Sequence, residues 1–376
     1  MSLGNNMIGP EACIHLDRLL YNYRTIREHI DGLPIMAVVK ANGYGHGAVR
    51  VAQALQSEGV HYFAVFTIDE AVELRNAGIT EPILIFSRFH PDQLDIAVEY
   101  NITVNISIYS DLSILINYFL RTKKAPIFHL KVDTGMTRLG LDIADLNHVF
   151  DSIKKHPELE CEGIYSHYAT ADEGDLSYAE YQHMQFEQVL EIVKMHGIDI
   201  KYRHFSNSGA VLNLPQSWHN MVRVGMLLYG AFPSEEVPKD LPIRPIMEFR
   251  GPIVSVRKVP KGTHVSYGGK YITKNESNIG VIQTGFADGF PRPWYEEGFV
   301  AYNGENFPIA GRVCMDQFMV DFGNVAPKEG DNVLFFGESG KNHIPVEQIA
   351  TTIHSTTYVL LTAVGGRTKR IYIDTI

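Results

Sequence analysis

Hydrophobic positions in the first two thirds of the chain follow two alternating styles. Short apolar runs rich in β-branched residues occupy 35–40, 62–67, 83–87, 102–106, 127–133, 162–168, 200–205 and 221–229. Each reads as a buried strand. Between them, apolar residues return at helical spacing over 48–56, 68–76, 94–100, 111–120, 143–154 and 178–196. A stretch nearer the N-terminus, 15–30, carries Leu16, Leu19, Leu20, Tyr23 and Ile26 in the same rhythm. Eight strands alternating with helices predict a (β/α)8 TIM-type barrel. A doubly wound open sheet is the competitor, but it would leave edge strands with alternating patterns, and none stands out. The texture changes at 233–245, a segment rich in proline and charge. Beyond it, short runs at 253–259, 279–284, 299–302 and 332–336, separated by glycines, predict a second, mainly β domain. A short helix is expected over 346–353. The predicted architecture is therefore α/β: a barrel over 1–240, then a mainly β domain over 241–376.

Composition narrows the function classes. With 376 residues there is room for a large core, and charged residues make up 20% of the chain. A formal net charge of −10, with no long basic run, argues against a nucleic-acid or anionic-membrane partner. Cys13, Cys161 and Cys314 are widely spaced and form no CxxC, which suits a reducing cytoplasm and disfavours a disulfide framework or a zinc site. No segment approaches a membrane span. Residues 1–10 lack the charged and apolar regions of a secretion signal.

Chemistry gathers where barrels keep it, at the C-terminal ends of the strands and in the loops that follow. The first strand runs into Lys40, then Ala41-Asn42-Gly43-Tyr44-Gly45-His46-Gly47. A buried strand tip is a poor place for an amine unless it has a partner or a job, and alternate glycines let backbone approach a ligand. The blander reading is a lysine snorkelling from a strand end. Strand five leads into Lys131-Val132-Asp133-Thr134-Gly135-Met136-Thr137-Arg138. Strand six ends near His167, strand seven runs into Asn207-Ser208-Gly209, and strand eight contains Arg223-Val224-Gly225-Met226. Phosphate has a natural home at the last two loops, where the Ser208 hydroxyl, the amides of Gly225 and Met226 and the Tyr44 phenol are candidate donors. Ser208 reads equally well as a helix cap. Arg138 could instead pair with Asp133, and His167 could be an ordinary hydrogen-bonded histidine. Tyr267, in a glycine-flanked turn, could be a surface or packing tyrosine. Asp69, Glu70 and Glu73 read as solvated charge at a helix start, and Cys314 as packing.

The strings VVKANGYGHG, HLKVDTGMTRLG, SHYATAD, FSNSGA, VRVGMLLYG, VSYGG, GFADGFPR and GRVCMDQ, in that order along nearly the whole chain, resemble the alanine racemases. The resemblance implies a pyridoxal-phosphate enzyme in which Lys40 carries the cofactor as a Schiff base and serves as one proton-transfer base. Tyr267 is similar to the opposing base, Arg223 to the arginine facing the pyridine nitrogen and His167 to the imidazole near the ring. Tyr44, Ser208, Gly225, Met226 and Tyr358 resemble phosphate ligands. Arg138 and the amide of Met315 resemble the holders of the substrate carboxylate, and Lys131 a lysine that is often carbamylated. The resemblance further implies a cytoplasmic homodimer, alanine as substrate, and D-alanine destined for peptidoglycan. In this family the second domain of each subunit reaches its twin's barrel. Two positions depart from the pattern: Phe286 where tyrosine is common, and Val359 after Tyr358 where glutamate is common.

Removing an α-proton from one face and returning one to the other requires two bases flanking a planar intermediate. Tyr267 needs positive charge or hydrogen bonding nearby to act as one at neutral pH. A racemase of broader or serine specificity is the nearest rival. Arg223 in place of an acidic partner disfavours a decarboxylase. A non-enzymatic pyridoxal-phosphate barrel would need neither Tyr267 nor the second domain, and a cofactor-free barrel would leave Lys40 structural.

Overall fold

The computed structural model describes residues 9–374; residues 1–8, most of the segment judged not to be a secretion signal, lie outside it. All eight predicted barrel strands are present. Strand β1, Glu11–His15, precedes them; the barrel is formed by β2 Ile35–Val38, β3 Tyr62–Val65, β4 Ile83–Ile85, β5 Val104–Ile106, β6 Phe128–Lys131, β7 Cys161–Tyr165, β8 Tyr202–His204 and β9 Val222–Val224. They pair in parallel as two four-stranded ladders, β4-β3-β2-β9 and β5-β6-β7-β8. Two seams join the ladders. At one, Leu84 bridges Thr103. At the other, Asn220 uses its side chain as a ladder residue: its Oδ1 accepts from the Arg203 amide at 2.7 Å, and its Nδ2 donates to the Lys201 carbonyl at 2.7 Å. The Arg223 amide adds a bond to the Ser206 carbonyl at 2.9 Å.

Helices with one apolar face cover the barrel. Thr67 and Glu70 form a capping box at the start of Ile68–Asn76. Gly197, in the left-handed conformation, ends the long helix Ser177–His196. The apolar core runs without a break from barrel to second domain. Inside the barrel, polar side chains join it: Asn105, His129, Lys131, Glu162, His204 and Arg223 are all buried. Residues that are polar yet buried in a barrel interior need partners, and these residues are largely one another's.

The second domain is a nine-stranded sheet built on β10, Met247–Val259. Its membership departs from the sequence division. Strand β1 pairs antiparallel with β10 and parallel with the last strand, Lys369–Ile373, so the N-terminal segment assigned to the barrel lies in this sheet. Among the described residues no helix is long and apolar enough to cross a membrane.

Candidate active site

Lys40 follows β2 by two residues, and the chain there does something unusual. Ala41, Asn42, Gly43 and Tyr44 take φ values of 52°, 54°, 61° and 51°, a left-handed turn in which three members carry side chains. Each such non-glycine residue is strained, so other groups must hold the turn. The Ala48 amide donates to Asn42 Oδ1 at 3.0 Å. Arg370 of the second domain donates to the Gly45 carbonyl at 2.7 Å. A Cβ on Gly45 would stand 2.2 Å from the Leu361 carbonyl oxygen, so the second domain packs directly on this loop. From the barrel side, the Glu70 carboxylate accepts the Ala41 amide at 2.6 Å and the Phe66 and Thr67 amides at 2.8 and 3.1 Å. Glu70 is thus not the solvated charge expected from the sequence. It ties the Lys40 turn to the next βα loop, a role no local pattern signals.

Lys40 is half-buried, and burial together with the charges of Arg138 and Arg223 lowers its pKa, against a raising influence from Glu70. The deeper Lys131 is pushed down to about 7 by burial, Arg223 and Arg138. Both amines therefore give up a proton more readily than a free lysine does. Arg138 itself is exposed and has no hydrogen bond or ion pair among the described residues. Asp133, the partner considered for it from the sequence, instead accepts the Gly135 and Thr137 amides at 2.9 and 3.1 Å.

Arg223 is buried at the centre of the barrel rim. Its Nη1 donates to His204 Nδ1 at 3.1 Å and to the His204 carbonyl at 2.7 Å. Its Nη2 reaches the carbonyls of Ser166 and Phe205 at 2.7 and 3.0 Å and His167 Nδ1 at 3.1 Å. Both terminal nitrogens are committed, and Nε has no partner among the described residues. Guanidinium only donates, which fixes the tautomers below it. His204 must accept at Nδ1, so its Nε2 donates to His129 Nδ1 at 2.9 Å. His129 Nε2 then donates to Glu162 Oε2 at 3.4 Å. Tyr62 also donates to Glu162 Oε2, at 3.1 Å, and Lys201 pairs with Oε1 at 3.0 Å. Burial would raise the Glu162 pKa, but hydrogen bonds from His129 and Lys201, with the Lys201 ammonium beside it, bring it down to about 2. Burial, with Arg223 nearby, holds His167 and His204 well below 6.5, hence neutral. A cation at the rim is thus joined to an anion at the barrel floor through two neutral imidazoles.

The expected phosphate donors converge. Asn207, not Ser208, caps the short helix Ser208–Asn213, its Oδ1 accepting the Ala210 amide at 3.0 Å. That frees the buried Ser208 hydroxyl, which meets the Gly225 amide at 3.3 Å. Met226 opens a 3₁₀ turn, where first-turn amides lack intrahelical acceptors. A Cβ on Gly225 would stand 2.8 Å from Tyr44 Oη, so any side chain there would displace that phenol. The Tyr44 ring lies 6.0 Å from that of Tyr358 and 5.0 Å from that of Tyr229. Converging hydroxyl and amide donors, a bare glycine and two amines of lowered pKa fit a phosphorylated aldehyde cofactor.

Tyr267 and Met315 are not part of this cluster within one chain. They lie on the second domain, 70% and 56% exposed, and share no hydrogen bond or ring contact with Lys40, Arg138 or Arg223 among the described residues. Phe286 is 40% exposed on the same domain, and its loop packs on the Met315 segment: its amide donates to the Cys314 carbonyl at 3.1 Å and that of Ala287 to the Met315 carbonyl at 3.1 Å. Val359, on the short helix Thr357–Ala363, is also exposed.

Residues 14–233 match the model of the alanine racemase N-terminal domain, and 246–372 that of the C-terminal domain. The chain belongs to the alanine racemase family. An alanine racemase of Carboxydothermus hydrogenoformans is 39% identical over 367 residues, spanning 96% of this chain and 99% of that protein. One from Desulforamulus reducens is 41% identical over 369 residues, with 96% and 98% covered. Among solved structures, alanine racemase from Streptomyces lavendulae superposes with a TM-score of 0.92 at 33% identity, covering 98% of each chain. Alanine racemase from Bartonella henselae, described with covalently bound pyridoxal phosphate, gives 0.88 at 29% identity, with 97% and 99% covered. The barrel and the mainly β second domain are thus the family's fold.

Proposed function

We propose that this alanine racemase family member is a pyridoxal-phosphate-dependent enzyme interconverting L- and D-alanine by two bases, Lys40 and Tyr267. The supporting observation is the half-buried Lys40 amine, its pKa lowered by burial and by Arg138 and Arg223, on a clamped turn beside Tyr44. Tyr44, Ser208, Tyr358 and the amides of Gly225 and Met226 would hold the cofactor's phosphate, and His167 would stand near its ring. Arg223 keeps one N–H for the pyridine nitrogen and, as a cation that only donates, opposes protonation there. When bound, the cofactor supplies the electron withdrawal that makes the α-hydrogen of an amino acid removable. The uncommitted Arg138 guanidinium and the Met315 amide hold the substrate carboxylate. Lys40 holds or releases the proton on one face, and Tyr267 on the other. The neutral-leaning Lys131 amine is suited to carbamylation, which would place an anion beside Arg138.

Exposure of Tyr267 and Met315 in the single chain supports a homodimer in which domain 241–376 of one subunit completes the barrel, 1–240, of its partner. The cellular reading is cytoplasmic supply of D-alanine to peptidoglycan. A second reading, broader or serine specificity, is favoured by Phe286 and Val359, which change exposed positions near Met315 and Tyr358. A chiral assay over alanine, serine and basic amino acids tests both. Turnover confined to alanine supports the first reading, comparable serine turnover the second, and no racemisation refutes both.

A further inference from the structure

His183 and Glu187 stand one turn apart on the outer helix Ser177–His196, with His183 Nε2 3.8 Å from Glu187 Oε1. His219 reaches the same carboxylate oxygen from the loop before β9, its Nδ1 also at 3.8 Å. The three donor atoms lie within 4.8 Å of one another. None of the three contacts is a hydrogen bond, since all exceed that range. The His219 side chain is only 9% exposed, yet neither ring nitrogen has a hydrogen-bond partner among the described residues, and Nε2 is fully enclosed. One aromatic ring packs on it: Phe186 meets His219 edge-on at 5.2 Å between ring centroids. The other nitrogen of His183, Nδ1, faces the Tyr168 hydroxyl at 3.5 Å. Metal-bound histidines characteristically anchor their second nitrogen in this way; His219, whose Nδ1 faces Glu187, leaves its Nε2 without such an anchor.

From these residues we infer a structural site for a divalent cation of the zinc type, formed by His183, Glu187 and His219. Tetrahedral zinc with ligands at about 2.0–2.2 Å sets donors roughly 3.3–3.5 Å apart. The observed separations close to that by small side-chain rotations, and the 53% exposed Glu187 leaves a fourth position to water. Two imidazoles and one carboxylate are borderline donors that select zinc or cobalt over magnesium or calcium. Arg203 bears on His219 electrostatically and opposes a cation, which weakens the site.

The site's position gives it a purpose. His219 precedes Asn220, whose side chain closes the β8–β9 seam, and β9 carries Arg223. A bound cation staples the outer helix to the segment that shuts the barrel.

The test uses full-length holoenzyme stripped with a chelator and titrated with Co2+, followed by its visible d–d absorption, then with competing Zn2+. Wild type should bind one ion per chain with an N/O-ligand spectrum. Zinc at a hundredfold excess over its dissociation constant should raise the unfolding midpoint by several degrees. His219→Gln should weaken binding at least about 30-fold and abolish the midpoint rise. Glu187→Gln, at an exposed side chain that folding does not need, should do the same. Absence of binding by wild type, binding with a thiolate charge-transfer band, or undiminished binding by Glu187→Gln would each overturn the assignment.

Discussion

Replacing Glu162 by glutamine keeps the shape of the chain from Arg223 to the barrel floor and removes its negative end. The Glu162 pKa falls from 4.5 to about 2. At about 1.4 kcal/mol per pH unit between those values, the charge contributes roughly 3 kcal/mol to stability. Lys201 is 62% exposed, so its share is screened by solvent and the expected loss is about 2–3 kcal/mol. Because the folded pKa is depressed, this contribution is complete above pH 4.5 and is lost as pH falls toward 2. The difference between wild type and Glu162→Gln, measured by urea unfolding, should therefore be the same at about pH 7.5 and about pH 6. Glu162→Ala should cost a further 1–3 kcal/mol, about the penalty for leaving the Tyr62 hydroxyl and His129 N–H without an acceptor. A glutamine variant within about 0.5 kcal/mol of wild type at neutral pH would refute the polarised chain.

Acid should destabilise the protein early. Burial holds His46 down to about 4 and lowers His129, His167 and His204 as well. The unfolded chain takes up these protons near 6.5 and the folded one resists, so stability is full above pH 6.5 and falls by up to about 1.4 kcal/mol per unit for each histidine. A urea midpoint unchanged from about pH 7 to about pH 5 would contradict this. Gly225→Ala drives a methyl into Tyr44 Oη and should weaken cofactor binding at least about tenfold, read by equilibrium dialysis, with little change in fold. Glu70→Ala strips three amides of their acceptor and should slow the rise of the cofactor–lysine absorption band on reconstitution. Glu70→Asp, which keeps the charge but falls one methylene short of the three amides, should restore the rate only in part.

The barrel was legible because its strands are continuous apolar runs and its helices carry long amphipathic faces. Helix Ile68–Asn76 coincides with the predicted 68–76. Strand Glu11–His15 was not legible: five residues with a weak pattern find their partners some 230 and more positions away, and no local signal encodes that. The rim residues Lys40, His167, Ser208 and Arg223 could be picked out because polar groups at barrel strand ends stand against an apolar background. Glu70 was misread because its partner, the Ala41 amide, is distant in sequence and carries no side-chain signature. The buried path through His204, His129 and Glu162 was missed for a related reason. Each is a single inward strand position with no local signature, and only barrel closure makes them adjacent.

Two bases contributed by different subunits are the core of the proposed catalysis, and mixing inactive subunits tests them most directly. Lys40→Ala and Tyr267→Ala, each inactive alone, are co-refolded in equal amounts with pyridoxal phosphate and assayed for alanine racemisation. Random pairing leaves one intact site in each mixed dimer, so catalysis across the interface predicts about a quarter of wild-type activity. A mixture as inactive as its components would contradict it.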